Sequence, residues 1–138
     1  MRFFSKKKQV IKQEKQWKIT RDCLQLILES SKSSYPQEFG GLLRRDDITK
    51  DTIVEVVLLP GTIAGDSHAI FRMHMKPIDF SIIGTVHSHP SPNNLPSNAD
   101  KQLFERYGSI HIIVAYPFTI DSWQGYDYYG NPCVITVV

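Results

Sequence analysis

The stretch from Ile82 to Asp100 reads IIGTVHSHPSPNNLPSNAD, and it indicates both the fold and the chemistry of this 138-residue chain. Residues Ile82 to His89 are typical of a buried strand, and the Pro- and Asn-rich run after them is typical of a loop. Ser97 then has the position of an N-cap for a helix that extends to Tyr107. The stretch therefore predicts a strand, a loop and a helix in succession.

His87 and His89, at the end of the predicted strand, are candidate metal ligands. Residues two apart in a strand point to the same face, so the two imidazoles lie side by side. Asp100, in the first turn of the predicted helix, is placed to bring a carboxylate to the same point. Two imidazoles and one carboxylate leave a fourth tetrahedral position for water, which is the open arrangement of a catalytic zinc site.

Each part of this pattern also has a plainer interpretation. A single His-x-His pair occurs by chance in sheets, and Ser97-x-x-Asp100 taken alone is a helix capping box. The cap and the ligand interpretations are compatible, because a capped helix start is a rigid place from which to hold a metal.

A hydrolytic zinc centre also needs a general base, and a Glu is the common choice. Glu38 precedes the apolar run that starts at Phe39, where an unpaired charge would cost free energy. We therefore take Glu38 as the candidate base, with a solvated loop acid as the alternative. The other glutamates are predicted to lie in solvated or surface positions, namely Glu14, Glu29, Glu55 and Glu105.

The remaining sequence predicts a second helix and further strands. Thr20 is the predicted N-cap of the helix, with the run Lys15 to Thr20 leading into it, and Ser-Lys-Ser-Ser ends it before Tyr35. Alternating or apolar segments predict strands at Phe39–Leu43, Thr52–Leu59, Ala69–Met75, Ser109–Tyr116, Ser122–Tyr128 and Cys133–Val138, the first two as a hairpin. Mixed strands with two helices indicate an α/β or α+β domain built on a single sheet.

Composition indicates one globular domain preceded by a basic arm. Hydrophobic residues make up 41% of the chain and charged residues 22%, which excludes a disordered or fibrous protein. No apolar run reaches membrane-spanning length and no secretory signal is apparent, so we expect a cytoplasmic protein. Residues 1–21 have a net charge of +7, whereas eight basic and 13 acidic residues give residues 22–138 a net charge of −5. We divide the chain into an arm, 1–17, and a domain, 18–138.

The arm has two interpretations: a solvated terminus, or a contact for nucleic acid or an acidic partner. Cys23 and Cys133 are far apart in sequence and are predicted to be free thiols, although a disulfide between them remains an alternative. Three histidines are left outside the site. His68 and His74 are predicted on the surface or in a strand, and His111 is predicted to be a core or sheet residue.

The combined pattern resembles the JAMM motif of the JAMM/MPN+ (JAB) metalloproteases. The matching positions are a Glu in a Pro-x-Glu-x-x-Gly-x-Leu setting, a strand that ends in His-Ser-His-Pro, and a downstream Ser-x-x-Asp, filled here by Glu38, His87, His89, Ser97 and Asp100. The resemblance extends from about Lys18 to the C-terminus and is greatest to the compact, free-standing archaeal and prokaryotic members.

This resemblance implies an α/β fold, the deaminase-like sandwich, in which helices flank a curved mixed sheet. It implies that His87, His89 and Asp100 bind one Zn²⁺, that Glu38 activates the zinc water and passes its proton to the leaving amine, and that Ser97 stabilises the oxyanion. The implied reaction is hydrolysis of the isopeptide bond between a ubiquitin-like modifier and a lysine. The implied partners are the modifier and its protein conjugates.

Other activities remain as alternatives. Some relatives process the precursors of ubiquitin-like sulfur carriers at a linear peptide bond. JAB proteins of the RadC type are associated with DNA, but they usually carry a further DNA-binding domain, and the basic arm is the sole support for that interpretation here. Non-catalytic MPN scaffolds lack the metal ligands that this chain keeps. A cytidine deaminase would need His-x-Glu and Pro-Cys-x-x-Cys, which this sequence lacks.

Overall fold

The computed structural model describes residues 15–58 and 79–138. Within these residues two helices and eight strands form one domain. In chain order they are β1 (Trp17–Ile19), α1 (Arg21–Ser34), β2 (Gly40–Arg45), β3 (Thr52–Val57), β4 (Ile82–His89), α2 (Asn98–Tyr107), β5 (Ile110–Ala115), β6 (Trp123–Asp127), β7 (Pro132–Cys133) and β8 (Ile135–Val137).

The strands of the described ranges form a single mixed sheet in the order β7-β6-β5-β4-β2-β3-β1-β8. Strand β4 lies near the middle, parallel to β5 and antiparallel to β2. The α/β fold with a curved mixed sheet is therefore confirmed. The predicted hairpin is also confirmed, since β2 pairs antiparallel with β3.

The sheet curves until its two edges approach each other. Strands β7 and β8 lie at opposite ends of the strand order, yet Val134 alone separates them in sequence. Strand β7 pairs with β6, whereas β8 pairs in parallel with β1. The prediction of one continuous strand over Cys133–Val138 is wrong, because the chain crosses at Val134 from one edge of the sheet to the other.

The start of the described chain also differs from the prediction. The lead-in to the first helix contains strand β1, whose Trp17 and Ile19 are buried in the core. Helix α1 then begins where predicted, because the Thr20 side chain accepts a hydrogen bond from the Cys23 backbone N–H. The buried face of α1 packs on the sheet, with Ile27 fully buried in the main core. A three-residue strand gives too short a pattern to be recognised in sequence.

Helix α2 is fixed to β4 and β5 at its C-terminal end. Gly108 ends the helix with a φ of 124°, in the region that favours glycine. A Cβ atom there would lie 2.1 Å from the Ile83 carbonyl oxygen, so only glycine permits this close approach. The next residue, Ser109, donates its backbone N–H to the same oxygen. This junction sets how α2 lies beside β4, and therefore where its first turn meets the end of that strand.

Cys23 is buried and Cys133 is half-buried, and no disulfide joins them, so the structure supports two thiols rather than the alternative of a disulfide. The predicted strand Ala69–Met75, with His68 and His74, lies outside the described residues, as does most of the basic arm. Within residues 15–58 and 79–138, neither helix has the length and apolarity needed to cross a membrane.

Candidate metal centre

The two histidines at the end of β4 face the same side of the sheet, as their spacing predicts. His87 is paired with Ile113 of β5, and His89 with Ala115 at the end of that strand. Their Nε2 atoms lie 3.2 Å apart. His87 is almost completely buried, whereas His89 lies nearer the surface. The end of a central strand therefore holds both imidazoles with their Nε2 atoms converging.

Asp100 approaches the same point from the first turn of α2. Its Oδ1 lies 3.1 Å from Nε2 of His87, and its Oδ2 lies 3.2 Å from Nε2 of His89. The carboxylate is held by a capping box: Ser97 donates its backbone N–H to Oδ2, and the Ser97 hydroxyl oxygen accepts the backbone N–H of Asp100. The cap interpretation and the ligand interpretation of Ser97-x-x-Asp100 thus describe one arrangement.

The spacing of these three groups fits a small tetrahedral metal ion. Within the described ranges, the His87, His89 and Asp100 side chains are the group that could hold a metal, with their ligand atoms all within 4.8 Å of one another. For zinc bonds of ~2.0 Å, neighbouring ligands of a tetrahedron lie ~3.3 Å apart, close to the observed separations. Imidazole lone pairs and carboxylate oxygens this close repel one another unless a cation or a proton lies among them.

The pKa values of two of the ligands, Asp100 and His89, are both shifted by their neighbours in this cluster. Burial alone raises the pKa of Asp100, but its contacts with His87 and His89 hold that pKa well below its usual range. Burial alone lowers the pKa of His89, whereas its contacts with Asp100 and the Asn93 carbonyl, together with the charge of Glu38, raise it overall. The carboxylate is therefore ionised and attracts positive charge to the point where the three side chains meet.

The orientation of His89 is set by the loop that follows β4. Its Nδ1 atom lies 2.8 Å from the backbone oxygen of Asn93, a contact in which Nδ1–H donates and Nε2 keeps its lone pair towards Asp100. The next carbonyl, that of Asn94, accepts a 2.6 Å hydrogen bond from the Tyr126 hydroxyl. Sequence reasoning missed both loop residues and Tyr126, because a backbone carbonyl has no residue-specific signature and Tyr126 lies in a strand predicted only as a strand.

His87 differs from His89 in its second nitrogen. Among the buried side-chain atoms of the described residues, Nδ1 of His87 is the one without a hydrogen-bond partner. The polar contacts of this ring are therefore made through Nε2, the atom that faces His89 and Asp100. The burial of the ring, rather than a hydrogen bond at Nδ1, fixes its position.

Glu38 lies beside this cluster, just before β2. Gly40 is paired with His87 across the β2–β4 ladder, and Glu38, two residues before Gly40, lies close enough for its charge to raise the pKa of His89. The approach is fixed by two hydrogen bonds between Phe39 and Ser88, one from the Phe39 N–H to the Ser88 hydroxyl and one from the Ser88 N–H to the Phe39 carbonyl. Glu38 is half-buried. The structure thus brings the predicted base to the predicted ligands.

His111 does not belong to this cluster, and its prediction as a core residue is confirmed. Its ring is fully buried and stacks on Phe104 with ring centroids 4.2 Å apart. Nδ1 accepts the backbone N–H of Thr85, and Nε2 lies 3.0 Å from the Gly108 carbonyl. The ring therefore joins β4, β5 and the end of α2. The contact between Nε2 and the Gly108 carbonyl lies at the same junction that positions α2.

Comparisons with known proteins agree with this geometry. A family described as prokaryotic homologs of the JAB domain matches residues 20–126. A "Probable metalloprotease" of Haloferax volcanii is 34% identical over 120 residues, which cover 82% of this chain and 74% of that protein.

Two solved structures are also similar. One, described as "JAMM: A Metalloprotease-like Zinc Site in the Proteasome and Signalosome", is 40% identical with a TM-score of 0.69, covering 89% of this chain and 98% of its own. The other, a JAB1/MPN domain protein from Archaeoglobus fulgidus, is 38% identical with a TM-score of 0.70. The match covers 91% of this chain and 99% of that protein. The family match, these similarities and the arrangement at the end of β4 together show that the chain belongs to the JAMM/MPN+ (JAB) family, among its prokaryotic members.

Proposed function

We propose that this chain is a zinc metalloprotease that removes ubiquitin-like modifiers from the lysine side chains of their conjugates. The observation that carries the proposal is the meeting of His87, His89 and Asp100, with contacts of 3.1–3.2 Å, beside Glu38. The similarity to a probable metalloprotease and to a JAMM zinc-site structure supports the hydrolytic part. The isopeptide part rests on the resemblance of the motif.

His87, His89 and Asp100 would hold one zinc ion per chain and leave a fourth position for water. Zinc in such a site supplies Lewis acidity and lowers the pKa of its bound water to about 7. The two nitrogen ligands and one oxygen ligand suit zinc, whereas magnesium and calcium prefer oxygen ligands throughout. The Asn93 carbonyl, bonded to Nδ1 of His89, keeps Nε2 available as a ligand.

Glu38 would act as general base and then as general acid. Its charge acts on His89, which supports a place beside the ligands, and from there it would accept the proton of a water held by them. It would then deliver that proton to the leaving lysine nitrogen as the carbon–nitrogen bond breaks. The contribution expected of such a group is roughly 10²–10⁴-fold in rate.

Ser97 would stabilise the oxyanion that develops on the scissile carbonyl. In the capping box its oxygen serves as an acceptor for the Asp100 N–H, so its hydroxyl hydrogen remains available for donation. The same residue would thus hold the third ligand in place and donate to the substrate oxygen. A modifier that ends in Gly-Gly suits this confined site, because its last residues have no side chains.

The experiment that tests this proposal is cleavage of conjugates made with ubiquitin-like proteins of the source organism. Each modifier is joined to lysine through an isopeptide bond and, separately, to a peptide through a linear bond at the same glycine. We expect release of the intact modifier from the lysine conjugate, abolished by a chelator and restored by added zinc. Cleavage of the linear fusion alone would replace this proposal with precursor processing. Cleavage of neither by zinc-loaded protein would contradict both activities.

A further inference from the structure

A row of side chains crosses the sheet one step away from the candidate metal ligands. Thr85 of β4 is paired with His111 of β5, which is in turn paired with Tyr126 of β6. The next row on the same face contains His87, which follows Thr85 by two residues in β4. The row therefore lies directly beside the buried histidine of the candidate centre.

Phe104 of α2 packs on this row. Its ring is fully buried and stacks on His111, with centroids 4.2 Å apart and planes inclined by 16°. The ring of Tyr126 is stacked on the Phe104 ring as well, with centroids 6.0 Å apart and planes inclined by 22°. We call Phe104, His111 and Tyr126 the ring stack. Stacked rings attract one another beyond the effect of their buried area, so the ring stack holds α2 at a fixed distance from β5 and β6.

Asp100 lies one turn before Phe104 in α2. Residues four apart lie on the same face of a helix, so the face that presents the Asp100 carboxylate is the face that Phe104 fixes to the sheet. The capping box orients this carboxylate relative to the helix, and Gly108 fixes the C-terminal end of the helix. The contact of Phe104 with the sheet is the one that lies a single turn from the ligand.

The strand and the loop that carry the histidines are connected to the ring stack by hydrogen bonds. The Thr85 N–H donates to Nδ1 of His111, and the Thr85 hydroxyl oxygen lies 2.8 Å from the same nitrogen. The Tyr126 hydroxyl donates to the loop whose preceding carbonyl orients His89. The ring stack therefore contacts each of the elements that carry a candidate ligand.

Packing around the ring stack also accounts for the position of His87. Within the described part of the chain, Nδ1 of this buried ring has no hydrogen-bond partner, so its place depends on its neighbours. Its cross-strand partner Ile113 is fully buried in one cluster with Phe104 and Tyr126. The same cluster thus supports the strand beside His87 and the helix that carries Asp100.

We infer that Phe104 is a positioning residue for the metal centre, which sets, through the ring stack, the separation of Asp100 from His87 and His89. This inference rests on the metal-binding part of the proposed function. A site whose ligands are already in place loses less conformational entropy when it binds an ion, and it therefore binds that ion more tightly. Removal of the Phe104 ring should weaken metal binding although Phe104 itself is no ligand.

The test measures metal binding, so that it does not depend on turnover. Phe104→Leu removes the ring but keeps an apolar side chain, and Phe104→Met is a second variant whose flexible side chain fills more of the space. Competition with a chelator gives the affinity for zinc, and the absorption bands of bound cobalt(II) report the arrangement of its ligands. We expect both variants to bind zinc roughly 3–10-fold more weakly than the parent protein, and their cobalt bands to shift.

The matched control is Leu103→Ala, in the same helix. Leu103 is also buried, but it packs in a separate cluster with Leu42 and Tyr107. Its replacement should lower the melting temperature at least as much as Phe104→Leu, because it leaves a cavity. The zinc affinity and the cobalt bands of Leu103→Ala should nevertheless match those of the parent protein. A role of Phe104 in stability alone would make the two positions behave alike.

The inference is overturned if both Phe104 variants bind zinc with the parent affinity and give the parent cobalt bands. Equal changes in Leu103→Ala would also overturn it, because the packing of α2 in general would then position the ligand. A parent protein that binds neither ion would overturn the inference together with the metal-binding part of the proposed function. Failure of the isopeptidase activity alone is a separate result, since it appears only in the cleavage assay.

Discussion

The hydroxyl group of Tyr126 lies 2.6 Å from the backbone oxygen of Asn94, one residue beyond the carbonyl that accepts the Nδ1–H of His89. Tyr126 is itself almost fully buried, so its position in β6 is fixed by the core. The hydrogen bond therefore ties the loop after β4 to a rigid strand. Through Asn93, that loop sets the direction in which His89 presents Nε2.

From this relationship we expect Tyr126→Phe to weaken zinc binding without unfolding the domain. The phenyl ring fills the same space, and the loss is one hydrogen bond, which corresponds to roughly 3–10-fold in affinity. Competition with a zinc chelator measures the change, and the His89 Nδ1 proton resonance reports the altered contact directly. Tyr128→Phe is the matched control. Unchanged zinc affinity and an unchanged resonance would show that Tyr126 does not position His89.

Ser97→Ala is expected to affect both stability and rate. Loss of the cap of α2 should cost about 1 kcal/mol of unfolding free energy. Loss of an oxyanion donor should lower the rate of isopeptide cleavage by roughly 10²–10³-fold. Thr20→Ala is the matched control, because Thr20 caps α1 in the same way but lies on another helix. If the two variants lose stability equally and neither loses rate, Ser97 is a cap alone.

Because the His111 ring is buried, we expect the domain to lose stability in acid as this ring becomes protonated. Burial lowers its pKa to about 4, although its contact with the Gly108 carbonyl opposes this change and repulsion from His87 adds to it. In the unfolded chain a histidine titrates near pH 6.5, so between these values the unfolded state binds the additional proton. Stability from this group is thus complete above about pH 6.5 and falls as pH decreases to about 4, by about 3 kcal/mol.

Urea unfolding of the metal-free protein between pH 7.5 and 4 measures this dependence. His111→Gln should be less stable at neutral pH, because it loses the buried ring, but its stability should fall less steeply over the same range. The difference in slope isolates the contribution of His111, because every other titratable group is present in both proteins. Equal slopes would contradict the assignment of a neutral, buried ring.

The two cysteines should differ in reactivity. Burial, with a smaller contribution from the charge of Glu55, raises the pKa of the Cys23 thiol to about 11, so it is protonated and inaccessible in the native state. Cys133 is half-buried, in the short strand β7. We expect a thiol reagent to label Cys133 first and Cys23 only at the rate of unfolding. Loss of labelling at both positions in unreduced, denatured protein would indicate a disulfide instead.

The elements that sequence patterns specify locally were predictable, and those that depend on distant pairing were not. The period of two in β4 was enough to place His87 and His89 on one face, and the Ser97-x-x-Asp100 spacing was enough to predict the cap. Strand β8 exists because it pairs with β1, more than 100 residues earlier in the chain, and neither strand is long enough to show a pattern. The crossing at Val134 could not be predicted for the same reason, because it depends on which distant strands β7 and β8 pair with.

The residues of the candidate site could likewise be predicted only in part from the sequence. Side chains that contribute their own chemistry, such as Glu38 and Asp100, could be selected from the sequence by residue type and position. The contacts that orient them come from backbone carbonyls and from the β2–β4 register, which exist only in the folded chain. Tyr126 shows the consequence, since its role depends on where the loop after β4 lies rather than on any motif.

The central proposal is that His87, His89 and Asp100 would hold one zinc ion and that Glu38 would act as the general base beside it. The most direct test compares zinc content and cleavage rate in the parent protein and in Glu38→Gln, with Glu105→Gln, on the exposed face of α2, as the control. We predict about one zinc per chain in all three proteins, and a roughly 10²–10⁴-fold lower rate in Glu38→Gln alone. A parent protein that binds no stoichiometric zinc, or a Glu38→Gln variant that cleaves at the parent rate, would contradict the account.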